Sequence, residues 1–304
     1  MPKLLILSDK TETYRCLIEK ENLPELSWAA APAKDVDVVF GEPSKIRSVL
    51  AALPALHWVQ SMWAGVEPLL DPALRRDYIL TNARGVFGGL MSEYVIGYLL
   101  AHERRIFQRA EAQHNRHWDH SLTGSLRGKT IGLLGVGSIG AEVARAAKFF
   151  NMTVRGYTRA SKSSPFVDEY FHGPRLLEFA SGLDYLVSIL PNIVDTRKII
   201  SRDLLAALPA HSLLINAGRG QAVDESALAE ALNQNKIAGA VLDVFEQEPL
   251  PKDHPFWTTR NLLLTFHTSA PSLPEDLARV FIENYTLYVE GSPLKYQVDF
   301  ERGY

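Results

Sequence analysis

A chain of 304 residues with a net charge of −3, 46% hydrophobic and 22% charged side chains, has the material for one large or two ordinary globular domains. Its near-neutral balance gives no reason to expect nucleic acid or an anionic membrane as partner, and no run approaches the ~18 apolar residues of a membrane span. Cys16 is the only cysteine, which excludes an internal disulfide and a thiolate zinc site. The N-terminal apolar run, residues 4–7, is too short for a signal sequence, so a cytoplasmic protein is expected.

In chain order, short apolar runs at 4–7, 36–40, 57–59 and 79–81 predict strands, with helices over 11–20 and 44–52 between them. Such alternation predicts a small parallel α/β domain. A long helix is predicted from Ser92 to about Gln113, apolar at Val95, Ile96, Leu99, Leu100 and Ile106. A second series then begins, with strands predicted at 130–134, 153–157, 185–189, 212–216, 239–242 and 262–265. Helices are predicted at 138–150, 202–207 and 224–233. A last helix, 273–290, and an extended tail close the chain.

The second series opens with KTIGLLGVGSIG, a strand running into Gly135, Gly137 and Gly140 ahead of a helix. Between strand and helix, this G-x-G-x-x-G is a dinucleotide-binding fingerprint. The glycines permit a tight turn and close backbone approach, and the free N–H groups of the helix start face the pyrophosphate. A carboxylate after the next strand would take a ribose 2′-OH. Residues 153–164 contain none; they offer Thr158, Arg159, Ser161 and Lys162 instead. That set suits a 2′-phosphate, so NADP(H) is preferred and NAD(H) remains possible.

Three further predicted strands end in chemistry. INAGRG displays Arg219 between two glycines, LDVFEQEP follows its strand with Asp243 and Glu248, and TFHTSA presents His267. An Arg that grips a carboxylate, a His acid and its acidic partner are what hydride transfer to a 2-oxo acid requires. A carboxylate partner favours a protonated imidazole. Three unrelated loop residues are the alternative that position alone leaves open.

The fingerprint, INAGRG, LDVFEQEPLP…HPFW and FHTSA together resemble the D-isomer-specific 2-hydroxyacid dehydrogenase family across nearly the whole chain. Within it, GYTRASKS, SMWAGVEPLL and NARGVFGGLMSEYV are most similar to bacterial glyoxylate/hydroxypyruvate reductases. The resemblance implies two Rossmann-like α/β domains with a cleft between. A doubly wound dinucleotide domain would span 93–270. A smaller flavodoxin-like substrate domain would combine 1–92 with 271–304. It implies His267 as proton donor, Glu248 as its partner and Arg219 as the substrate anchor. Asp243 would hold the nicotinamide carboxamide with the backbone near Ala217. Ser138, Ile139, Pro191 and Thr196 would complete the cofactor site. Trp63, Ala64 and Gly65 would form the substrate loop, with bare backbone cupping the carboxylate and Trp63 walling the pocket. Domain closure would exclude water.

The implied reaction is NADPH-dependent reduction of glyoxylate or hydroxypyruvate. A bulkier 2-oxo acid such as phenylpyruvate is one alternative, and a non-enzymatic dinucleotide-sensing protein is another. The family usually has Pro before its His, and Phe266 stands there instead. His114, His117 and His120 recur at helical spacing beside Asp119, but no carboxylate or cysteine network accompanies them and no metal is expected. The long helix before them is apolar enough for a two-fold interface, so a homodimer is expected.

Overall fold

A computed structural model describes residues 1–159 and 164–303, and the chain divides into two compact units, Met1–Val86 with Ser272–Tyr304 and Phe87–Pro271. In the first unit β1 (Lys3–Leu7), α1 (Thr11–Glu19), β2 (Ser27–Ala29), β3 (Val38–Gly41), α2 (Pro43–Val49), β4 (Trp58–Ser61) and β5 (Ile79–Thr81) follow in order. The strands form one parallel sheet in the order β2-β1-β3-β4-β5, a flavodoxin-like arrangement. One face packs on α2 through Val39, Ile46, Leu50 and Val59. The other is covered by the C-terminal helix Pro274–Val289, whose Phe281 ring stacks on Phe40 at 4.9 Å and on Trp58 at 5.3 Å. Burying three large rings in one stack commits that helix to this sheet despite its distance in sequence.

The second unit opens with α3 (Gly88–Glu103) and α4 (Ile106–His114), followed by β6 (Thr130–Leu134), α5 (Ser138–Phe149), β7 (Thr153–Tyr157) and β8 (Glu169–Phe171). Then come α6 (Leu176–Ala180), β9 (Tyr185–Ser188), α7 (Arg202–Ala207), β10 (Leu213–Asn216), α8 (Glu225–Asn233), β11 (Gly239–Leu242) and β12 (Leu262–Leu264). The strand order β12-β11-β10-β9-β6-β7-β8 is that of a doubly wound sheet. The central strands are apolar on both faces, as helices on both sides demand: Leu134, Leu186 and Leu214 meet α6, α7 and α8, whereas Leu133, Val187 and Ile215 meet α3 and α5. Strand order reverses between β6 and β9, which places the ligand crevice at their carboxyl ends.

The single helix expected over 92–113 is two. α3 stops at Arg104, and Arg105 takes a left-handed φ of 55° before α4 begins. α3 is anchored by Met91, Val95 and Leu99, whereas α4 has no buried residue, so nothing in the unit holds the two in line. The edge strands β2 and β8 and the short α6 had no expectation. The tail beyond Gly291 is mostly turns, with an antiparallel bridge from Gln297 to Thr81. Among the described residues no helix is long and apolar enough to cross a membrane.

Candidate active site

The crevice begins with the fingerprint. Gly135, at φ 95°, turns the chain beside Ile189, and a Cβ on Gly140 would lie 2.3 Å from the Gly135 carbonyl oxygen. Only glycine permits that closeness. A Cβ on Gly137, by contrast, would meet nothing within 4 Å, and Gly137 is the exposed N-cap of α5 with no side-chain cap. The first turn, with Ser138 and Ile139, therefore opens its N–H groups onto empty space over bare backbone, which fits a pyrophosphate. Across the crevice, Thr196 is buried; its hydroxyl bonds the Pro191 and Ile193 carbonyls at 2.6 and 2.9 Å and so shapes the loop that carries it.

After β7, Thr158 is buried and Arg159 is half exposed, its Nη2 donating to Asp195 Oδ2 at 3.0 Å. Ser161 and Lys162, the other expected phosphate ligands, lie outside the described residues.

β10, β11 and β12 lie side by side, and their carboxyl ends deliver the remaining groups. Past β10, Asn216 donates to the Arg219 carbonyl at 3.0 Å and accepts from the Gly218 N–H at 3.3 Å, clasping the turn that displays Arg219. Ala217 is buried beneath it, its N–H bonded to Ser188. Gly220 is pressed against the next loop: a Cβ there would sit 1.8 Å from the Phe245 carbonyl carbon. The backbones carrying Arg219 and Glu248 are thus packed directly on each other.

Glu248 divides its oxygens. Oε1 accepts from the Phe245 N–H at 2.9 Å, and Oε2 lies 2.7 Å from His267 Nδ1. The His267 side chain is 56% exposed and Glu248 35%. With Nδ1 engaged, Nε2 is the ring nitrogen left for a ligand.

Asp243, fully buried, organises the turn around His267. Its Oδ1 accepts from the Thr265 hydroxyl at 2.7 Å and the Thr268 N–H at 2.8 Å, and its Oδ2 from the Ser269 N–H at 3.1 Å. Its carbonyl oxygen accepts from the His267 N–H at 2.6 Å. Tyr94 on α3 extends the network to Thr265 at 2.7 Å, and burial pushes its phenol pKa up, so it remains a hydroxyl. Neither Asn216 nor Tyr94 announces itself in sequence: Asn216 closes an apolar run, and Tyr94 follows Glu93 in a stretch that reads only as helix.

The turn is strained. Phe266 and His267 both take φ 57°, at a typical cost of about 1–3 kcal/mol each. Proline, fixed near −65°, cannot occupy position 266 along this path. Phe266 instead stacks on Trp257, with ring centroids 5.8 Å apart.

In the first unit, the 61–66 loop is tied down at its carbonyls: Trp63 accepts from the Ala83 N–H at 3.2 Å and Ala64 from Asn82 Nδ2 at 2.9 Å. Trp63 is 39% exposed and is no core tryptophan. Ala64 and Gly65 are half-buried. His114 ends α4, His117 lies beyond it, and His120 faces Trp118; among the described residues no group of three His, Cys, Asp or Glu side chains could hold a metal ion.

Residues 96–269 match the family model for the NAD-binding domain of D-isomer-specific 2-hydroxyacid dehydrogenases. A glyoxylate/hydroxypyruvate reductase A of Klebsiella pneumoniae is 32% identical over 97% of this chain and 96% of its own. A D-isomer-specific 2-hydroxyacid dehydrogenase family protein from Aeromonas salmonicida superposes with a TM-score of 0.92 at 38% identity, covering 98% of this chain and 99% of that one. An NADPH-dependent glyoxylate/hydroxypyruvate reductase from Sinorhizobium meliloti, solved with NADP and sulfate, gives 0.90 at 26% identity and full coverage of both chains. With the doubly wound sheet, the glycine turn and the strand-end Arg, Glu and His all in place, the chain belongs to the D-isomer-specific 2-hydroxyacid dehydrogenase family.

Proposed function

We propose that this enzyme reduces glyoxylate and hydroxypyruvate to the corresponding 2-hydroxy acids with NADPH. The observation that carries the chemistry is the 2.7 Å contact between His267 Nδ1 and Glu248 Oε2, which fixes the ring and leaves Nε2 for the substrate oxygen. Bound NADPH supplies the hydride to the carbonyl carbon. His267 gives the proton to the carbonyl oxygen, while Glu248 orients the ring and provides the counter-charge for its protonated form. Arg219 grips the substrate carboxylate and polarises the adjacent carbonyl. Asp243 Oδ2 accepts from Ser269 alone among the described residues, so it keeps acceptor capacity for the nicotinamide carboxamide. Trp63, Ala64 and Gly65 are assigned to the substrate carboxylate and side chain. Among the described residues the Ala64 and Gly65 N–H groups have no partner, which supports that use.

For the cofactor, Arg159 is the 2′-phosphate ligand. Its pairing with Asp195 is no obstacle, because an ion pair of 54% and 72% exposed side chains is worth only about 0–1 kcal/mol. The Sinorhizobium relative was solved with NADP, and a Xanthobacter autotrophicus relative with NADPH. The enzyme is assigned to the cytoplasm. It is further proposed to be a homodimer, because α4 buries none of its residues and Ile106, Phe107, Trp118 and Leu122 are all exposed; a monomeric mass by light scattering would refute this.

Initial rates of NADPH and NADH oxidation with glyoxylate, hydroxypyruvate, pyruvate and phenylpyruvate test the reading. The expected result is fast turnover of the first two with NADPH, and Arg159→Ala raising KM for NADPH about tenfold while leaving NADH unchanged. Turnover confined to phenylpyruvate would overturn the substrate assignment, and tight dinucleotide binding without turnover would overturn the enzymatic one.

A further inference from the structure

The segment that delivers Glu248 ends in HPFW, and its histidine has no part in the chemistry above. Its place is nonetheless specific. Glu248 reaches His267 from the 244–248 turn, whose first internal bond is the Phe245 N–H to Glu248 Oε1 at 2.9 Å. One peptide further, the Glu246 N–H donates to Glu225 Oε1 at 3.0 Å. Glu225 is the first residue of α8, so its carboxylate stands on a fixed helix end. Its other oxygen, Oε2, lies 3.2 Å from His254 Nε2.

The His254 ring is itself fixed. Nδ1 accepts from the Phe256 N–H at 3.3 Å, so that nitrogen carries a lone pair and Nε2 is the donor to Glu225. The Phe256 ring packs edge-on at 4.7 Å. The two side chains are only 20% and 16% exposed, so the bond is sheltered from competing water. On the far side of the turn, Gln221 Nε2 donates to the Glu246 carbonyl at 3.3 Å. The Glu246 backbone is thus held at its N–H by Glu225 and at its carbonyl by Gln221. The bond that orients the catalytic carboxylate lies on the adjacent peptide.

We propose that Glu225 and His254 are positioning residues for proton transfer: His254 orients the Glu225 carboxylate, which holds the Glu246 peptide where Glu248 meets His267. Neither residue is among those assigned to cofactor or substrate, and the effect of the pair is confined to the placement of Glu248. This rests on His267 and Glu248 being the proton-transfer pair. An error of about 1 Å in a catalytic group costs on the order of 100-fold in rate.

The experiment compares wild type with His254→Ala, His254→Gln, Glu225→Ala and the Glu225→Ala/His254→Ala double variant, using glyoxylate and NADPH. The readouts are kcat, KM, NADPH affinity by fluorescence, the solvent deuterium isotope effect on kcat, and the thermal midpoint. His254→Ala should lower kcat about 10- to 100-fold and leave NADPH affinity within about twofold. Its solvent isotope effect should rise as protonation becomes limiting. His254→Gln, whose amide still donates to Glu225, should recover most of the loss, and the double variant should be no worse than Glu225→Ala. Wild-type kcat in His254→Ala overturns the proposal, as does a loss that His254→Gln does not relieve or one that NADPH affinity and thermal midpoint share with an unchanged isotope effect. A His267→Gln control separates the two readings: full turnover there would remove the proton-transfer assignment itself, whatever His254 does.

Discussion

Asp243→Asn is the most informative single perturbation, because one buried carboxylate holds the loop on both sides of His267. The amide keeps one acceptor oxygen and gains two donors. Placed with its oxygen at Oδ1, it retains the Thr265 hydroxyl and the Thr268 N–H at 2.7 and 2.8 Å but turns a donor toward the Ser269 N–H at 3.1 Å. The opposite flip strands two partners instead of one. The better orientation therefore leaves one buried donor unmet, costing about 1–3 kcal/mol, and weakens two bonds that had a charged acceptor, costing about 1 kcal/mol more. A total of about 2–4 kcal/mol in a unit of this size lowers the thermal midpoint by roughly 5–12 °C. The Phe266–His267 turn, already at positive φ, loses its main restraint, and kcat should fall on the order of 100-fold. Calorimetry and steady-state rates on the same preparation provide the assay. Thr265→Val provides the control: it removes the hydroxyl but leaves the Asp243 oxygens, so it should lose about 1–2 kcal/mol with KM for NADPH unchanged. A midpoint within 1 °C of wild type and undiminished kcat in Asp243→Asn would refute the reasoning, since no buried hub can lose an acceptor for nothing.

Gly220→Ala would drive a Cβ to 1.8 Å from the Phe245 carbonyl carbon and 2.4 Å from the Glu246 nitrogen, so a folded but nearly inactive enzyme is expected; wild-type kcat/KM would show that the two loops move independently. Phe266→Pro restores the residue usual in the family yet demands φ near −65° where the chain takes 57°, so kcat should fall, and a rise would refute the strained path. Asp224 caps α8 through the Ala227 N–H at 3.1 Å; that bond and the Ser226 hydroxyl hold its carboxyl below the usual range. A depressed folded pKa gives stability that is present above the unfolded value of about 3.9 and lost as pH falls through the folded one. Asp224→Ala should therefore cost about 1 kcal/mol at pH 7, with the gap in urea midpoints narrowing below about pH 4.

The fold was legible where hydrophobic pattern and element length agree. β6 and β11 run as their apolar residues predict, because strands buried on both faces must be apolar, whereas β7 buries only Val154 and Gly156 and shows the alternation of a strand with one covered face. The failures have local causes. β2 and β8 are three-residue edge strands, and β8 reads Glu169-Tyr170-Phe171 with only Phe171 buried, too short for a period of two to register. The helix over 92–113 reads as continuous in sequence because no Gly or Pro marks its break. Arg105 turns left-handed at a position where only tertiary anchoring distinguishes α3 from α4.

The site was legible to the extent that its groups sit at strand ends. Arg219, Asp243 and His267 each follow a strand of one parallel sheet, so topology gathers them once the strands are recognised. What sequence does not convey is the hydrogen bonding that gives each side chain its task. Thr196 reads as a cofactor ligand, and only the fold shows that its hydroxyl also binds the Pro191 and Ile193 carbonyls. Asp243 reads as a carboxamide partner, yet three protein donors already converge on its side chain, and its first effect is on the pose of His267. Phe266 reads as a loss of rigidity relative to proline. The turn recovers that rigidity differently, through the Asp243 carbonyl, the Asp243 carboxylate and the Trp257 ring. Rigidity at a strand-end histidine can thus come from a proline in the chain or from partners around it. Only the second route makes the pose of His267 depend on residues as distant in sequence as Tyr94, which lies 2.7 Å from Thr265.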